Sequence, residues 1–79
     1  MATQQSLEVA RAIRVEIENR GTNIQQVATA AGLTPRTFRE HLKIGSLTTD
    51  EVFAAARVLD VSASEIFRRA EATSKKLAA

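Results

Sequence analysis

Apolar positions recur at helical spacing along almost the whole chain. Ala10, Ile13 and Ile17 stand at i, i+3 and i+7, with Leu7 and Val9 widening the stripe. Ser6 can cap that segment, Glu8 sits near the positive end of its dipole, and Gly21 stops it, which predicts a first helix from Ser6 to about Arg20. Residues 1–5 have no periodicity and read as a frayed, disordered end. Asn23 is a good N-cap for a second helix, in which Val27 and Ala31 share a face with Ala28 beside them, and Gly32 is its stop. Thr34-Pro35 then starts a third, a hydroxyl cap followed by proline where a missing N–H costs nothing. Thr48-Thr49-Asp50-Glu51 opens a fourth helix, and Val52, Phe53, Ala56 and Leu59 around the run Ala54–Ala56 suit a buried central element. After a turn carrying Val61, Ser62 or Ser64 caps a fifth helix that returns Ile66 and Phe67 to the core. Residues 68–79 are helix-permissive without a clear apolar stripe. The expected division is a frayed end at 1–5, one domain at 6–70, and a basic tail or helix extension at 71–79.

The third helix has two unlike faces. At about 100° per residue, Phe38 and Leu42 share its underside, while Arg36, Arg39, Glu40 and Lys43 gather on roughly the opposite side. Taken alone, such a charge cluster is more often the solvated face of an ordinary surface helix. The turn before it changes the balance, because a helix pair joined by a short glycine-containing turn, its second member basic, is the helix-turn-helix arrangement. Ala28, four residues before Gly32, supplies the small side chain that closely approaching backbones need.

Composition narrows the class. Seventy-nine residues make one domain, and a chain of this size buries only about 60% of its unfolded surface, so it is marginal alone. Hydrophobic residues at 44% and charged residues at 25% are ordinary for a globular protein. With three Phe and no Trp or Tyr, the core must come from Leu, Ile, Val and Ala. The absence of Cys excludes disulfides and thiolate metal sites. No stretch approaches the roughly 18 apolar residues of a membrane span, and the first residues lack the layout of a secretion signal, so a cytoplasmic location is expected. Net charge is only +2, but it is polarised. Residues 1–20 balance, 21–43 are basic, 44–65 are acidic through Asp50, Glu51, Asp60 and Glu65, and 66–79 are basic through Arg68, Arg69, Lys75 and Lys76. Such a layout can turn a positive surface toward phosphate.

Residues 20–42 resemble the helix-turn-helix of the phage repressor and Cro superfamily, most closely its Ner-type variant. The matching features are Val27-Ala28, Gly32-Leu33, Thr34-Pro35, Phe38 and Leu42. Residues 52–67 are similar to the closing part of the same superfamily, which extends the resemblance over about residues 6–67. It departs where the commoner repressor pattern has an apolar residue in place of His41 and a Glu followed closely by Gly at the end of the recognition helix. The resemblance implies an all-α, five-helix, lambda-repressor-like DNA-binding domain, cytoplasmic in a bacterial or phage-infected cell and acting as a homodimer on a double-stranded operator. It also implies backbone contacts by the loop carrying Lys43, Gly45 and Ser46.

By geometry, the base-reading set is Pro35, Arg36, Thr37, Arg39 and Glu40. Arg36 leads, because recognition helices present their N-terminal residues to the bases and a guanidinium grips guanine O6 and N7 bidentately. Thr37 suits a thymine methyl or a phosphate. Glu40 either accepts from cytosine N4 or braces Arg36 one turn away, and the brace is the better reading. The phosphate set is Asn23, Gln25, Thr34, Lys43, Gly45 and Ser46, and dimerisation is expected near Ile66 and Phe67. The basic tail is either a solubilising terminus or an arm that contacts DNA or steadies a dimer. No nucleophile–base pair, phosphate-cradling loop or spaced acid pair is present, and the single histidine, His41, reads as packed on the flank of the core, so no catalysis, metal, cofactor or small-molecule ligand is expected. Two rivals keep part of this picture: an antitoxin with the same fold, binding a toxin through its C-terminal segment, and a helical protein-interaction module that never meets DNA.

Overall fold

The computed structural model describes residues 4–78, with the side chains of residues 4–73. Five helices follow in order, α1 Gln4–Asn19, α2 Ile24–Ala30, α3 Pro35–Ile44, α4 Thr49–Leu59 and α5 Ala63–Ala78, with no strand among the described residues. Each of the last four starts on a side-chain cap. Asn23 accepts the Gln26 N–H at 2.9 Å, Thr34 that of Thr37 at 3.2 Å, and Ser62 that of Glu65 at 3.1 Å, which settles the choice between Ser62 and Ser64. At α4, Thr48 accepts the Glu51 N–H at 3.1 Å while the Glu51 carboxylate takes the Thr48 N–H at 3.2 Å, so two otherwise unpaired donors are satisfied reciprocally.

The α2 end shows why the chain turns where it does. Gly32 adopts a left-handed φ of 76°, and with that its N–H reaches the Thr29 carbonyl at 3.0 Å and the Leu33 N–H reaches that of Ala28 at 2.9 Å. At the end of α4, Asp60 takes the same left-handed region (φ 54°) without being glycine.

α1 packs against α5, α3 and α4; α2 packs against α3 and α4; and α4 closes on α5. The radius of gyration is 11.6 Å, which is what a compact chain of this length has, about 2.2 Å times length to the power 0.38. The core comprises Ala10, Ile13 and Ile17 of α1, Val27 and Ala28 of α2, Phe38 and Leu42 of α3, Val52, Ala55, Ala56 and Leu59 of α4, and Ile66 of α5. Ala28 is wholly buried, as its small size requires at the α2 crossing. No described helix is long and apolar enough to cross a membrane.

Several expectations need correcting. α1 begins at Gln4, two residues before Ser6, and Gln4 donates to the Glu8 carboxylate one turn on at 3.1 Å. Residues 4 and 5 are thus helical rather than frayed, and residues 1–3 lie outside the described residues. Of the two alternatives for the end of the chain, the helix extension is the one seen over 71–78, since α5 runs unbroken to Ala78; the side chains of Lys75 and Lys76 lie outside those described. Phe53 and Phe67 are not in the core: they are 52% and 41% exposed. The buried stripe of α4 runs Val52, Ala55, Ala56, Leu59 and that of α5 runs Ile66, Ala70, so each Phe stands one residue, about 100°, off its stripe. Leu7 is likewise half-exposed and lies over Gly45 instead of filling the interior.

Candidate functional site

α3 rests on α1 and α2 through Phe38 and Leu42, both buried, and turns its other side to solvent. Arg36, Thr37, Arg39, Glu40 and Lys43 are exposed, and Pro35 is half-buried at the helix start. The face expected for base reading is therefore a solvent-facing one. Its three cations are unengaged, since none of Arg36, Arg39 and Lys43 enters an ion pair among the described residues. The ion pairs there join Arg20 and Arg69 to Glu16, Arg68 and Arg69 to Glu65, and His41 to Glu51. The expected Arg36–Glu40 brace is not formed, which leaves Glu40 as an exposed carboxylate on the cationic face.

The phosphate set is divided by the structure. Asn23 spends its side-chain carbonyl on the α2 cap, and Thr34 spends its hydroxyl twice, accepting from the Thr37 N–H and donating to the Thr37 hydroxyl at 3.0 Å. Gln25, Lys43 and Ser46 have exposed side chains. Gly45 is buried beneath Leu7, and its N–H is already donated to the His41 carbonyl. No hydrogen bond or ion pair among the described residues joins Asn23 or Gln25 to the α3 set. Ile66 is wholly buried, which removes it from any surface that a second chain can reach in this conformation. Phe67 remains exposed, lining a shallow groove of about 320 Å³ with Gln5, Ser6, Val9, Ala70 and Glu71.

Two polar constellations escaped the sequence. His41, expected only on the flank of the core, places Nδ1 at 3.2 and 3.1 Å from the two carboxylate oxygens of Glu51, the residue that also closes the α4 capping box. Glu16, only 7% exposed, accepts from Arg20 Nε at 2.9 Å and from Arg69 of α5, fifty-three residues away. Those guanidinium hydrogen bonds, Arg20 first and then Arg69, hold the Glu16 carboxyl below the usual carboxylate range against the opposing effect of burial. The Arg68 and Arg69 hydrogen bonds hold Glu65 down to about 2, and both arginines are raised in return. Charged groups at one-turn spacing hint at the Glu16–Arg20 and Glu65–Arg69 pairs, but nothing local announces the long-range Arg69–Glu16 bridge. In comparisons with known proteins, no family model, no characterised protein and no solved structure matches this chain.

Proposed function

We propose that this chain is a sequence-specific duplex-DNA-binding transcriptional regulator of the phage repressor or Cro type, with α2 and α3 as its helix-turn-helix and α3 lying in the major groove. The observation that carries the reading is that α3 exposes Arg36, Arg39 and Lys43 with no acidic partner while Phe38 and Leu42 anchor it from below. Cations left unpaired at a surface are ready to neutralise phosphates and release counterions. A groove about 12 Å wide admits one such helix. One reading helix spans few base pairs, so two copies about 34 Å apart on the same DNA face complete the site, with Phe67 as the exposed apolar contact between them.

The test is a titration with random-sequence duplex DNA at low and high salt, followed by selection of bound fragments to find the preferred site. Arg36→Ala should cost about 1–3 kcal/mol with relaxed selectivity at one base position, whereas Lys43→Ala should weaken all sequences alike and flatten the salt slope by about one. Absence of any salt-sensitive binding removes the proposal. It favours a second reading, a protein-interaction module, for which the half-exposed Leu7, Ile44, Phe53 and Phe67 supply the apolar contacts.

A further inference from the structure

We infer that Glu40 is a specificity-determining residue that selects a cytosine, by accepting a hydrogen bond from its N4 amino group in the major groove; this rests on the DNA-binding reading of α3. Phe38 and Leu42 fix how α3 is turned, since both are buried beneath it. At about 100° per residue, Glu40 stands about 180° from the midpoint of those two side chains, which makes it the most outward position of the helix. The cations do not surround it. Arg36, Arg39 and Lys43 all fall to one side of Glu40, about 40–100° away, while Thr37 and Ile44 take the other side, about 40–60° away. All six residues are exposed. A helix about 10–12 Å across fills a groove about 12 Å wide, so its flanks meet the phosphate walls and its most outward residue meets the floor, which is base edges.

Glu40 is also unspent. It enters no hydrogen bond or ion pair among the described residues, although Arg36 stands one turn before it and Lys43 one turn after. An ionised carboxylate accepts and cannot donate. Guanine O6 and N7 and thymine O4 are acceptors and repel it, so the groove floor offers it cytosine N4 and adenine N6. Their neighbours separate the two. Adenine N6 lies between acceptors on both sides, its own N7 and the paired thymine O4, whereas cytosine N4 has one beside it, the paired guanine O6. A full negative charge therefore favours cytosine. The guanine of that pair presents O6 and N7 to a cation, and Arg36 and Lys43 are the nearest, with about 5–6 Å between their Cβ atoms and that of Glu40. Three cations gathered on one flank offset the charge that the carboxylate carries between phosphate walls.

The test compares the wild type with Glu40→Ala, an exposed position at which alanine keeps the helix. Duplexes bound by the wild type are selected from a random-sequence pool. Fluorescence anisotropy then measures both proteins on the selected site, on that site with each cytosine–guanine pair changed in turn to thymine–adenine, and on random-sequence duplex. At one cytosine the change should weaken the wild type about five- to tenfold, the lower part of the range for a good base contact, and Glu40→Ala by less than about twofold. On random-sequence duplex Glu40→Ala should bind about two- to fivefold tighter than the wild type, because a charge of the wrong sign is gone. Affinity and selectivity thus move in opposite directions, which loss of a merely solvated carboxylate would not produce. An unchanged cytosine preference in Glu40→Ala, or loss of a preference for a different base instead, overturns the inference while leaving DNA binding intact. No binding of the wild type to any duplex overturns the reading of α3, and the inference with it.

Discussion

Replacing Gly45 by alanine tests the packing of α1 on the end of α3, and Gly32→Ala is its built-in reference. Both glycines close a helix at similar left-handed angles, φ 72° and 76°. Both substitutions therefore meet the same backbone penalty, roughly 1–2 kcal/mol for a residue with a Cβ, offset by about 0.4–1 kcal/mol from the stiffer unfolded chain. They differ in what surrounds the new methyl group. At Gly32 nothing lies within 4 Å, whereas at Gly45 the methyl meets Leu7 Cδ2 at 2.8 Å and Leu7 Cγ and Cα at 3.1 Å. The Cδ2 end can swing outward, because Leu7 is 40% exposed, but the Cα is backbone and moves only if α1 shifts. Overpacking of this sort costs about 1–3 kcal/mol, and the lower half of that range fits a site with one free side. Gly32→Ala should thus lose about 1 kcal/mol and Gly45→Ala about 2–3 kcal/mol, a gap of roughly 4–16 °C in midpoint for a domain of this size. Thermal unfolding followed by far-ultraviolet circular dichroism measures both, and unfolded-state effects cancel in the comparison. Adding Leu7→Ala to Gly45→Ala should recover only part of the gap, since the new methyl still presses on the α1 backbone. Equal midpoints for the two single variants would refute the claim that α1 presses on this glycine.

Acid should weaken the fold through Glu16 and Glu65. Their folded-state values lie below the ordinary 4.5, Glu65 at about 2, so their contribution is complete above about pH 4.5 and is lost as pH falls through the folded values; the Glu16→Gln/Glu65→Gln double variant should show a smaller drop in urea midpoint between about pH 4.5 and about pH 2 than the wild type. Thr48→Ala should cost about 1 kcal/mol in the same assay at neutral pH, because the Glu51 N–H loses its cap; no loss would mean that the capping box contributes nothing. Phe67→Asp should lower the monomer's unfolding midpoint, since more than half of the ring is covered by the fold, and with the folded variant, sedimentation of the protein on a DNA duplex long enough for two copies should change from two chains bound to one; two chains still bound would remove Phe67 from the dimer contact.

Local chemistry determined most of what the sequence made legible. The hydroxyl and amide caps at Asn23, Thr34 and Thr48, the glycines after α1, α2 and α3, and the stripes through Ile13, Phe38 and Leu59 each act within a turn or two, so their spacing alone places the helices and names the greater part of the core. The cationic side of α3 was legible for the same reason: once Phe38 and Leu42 are inside, Arg36, Glu40 and Lys43 must be out. Only the assembled fold decided the rest. A sequence window marks Phe53 and Phe67 as apolar without saying that the neighbouring Val52 and Ile66 take the buried positions. It cannot bring Arg69 to Glu16, set Leu7 over Gly45, or lay Glu51 against His41, because those contacts depend on the angles at which whole helices cross. Those angles follow from the packing of every core side chain together, a quantity that no single stretch of the chain contains.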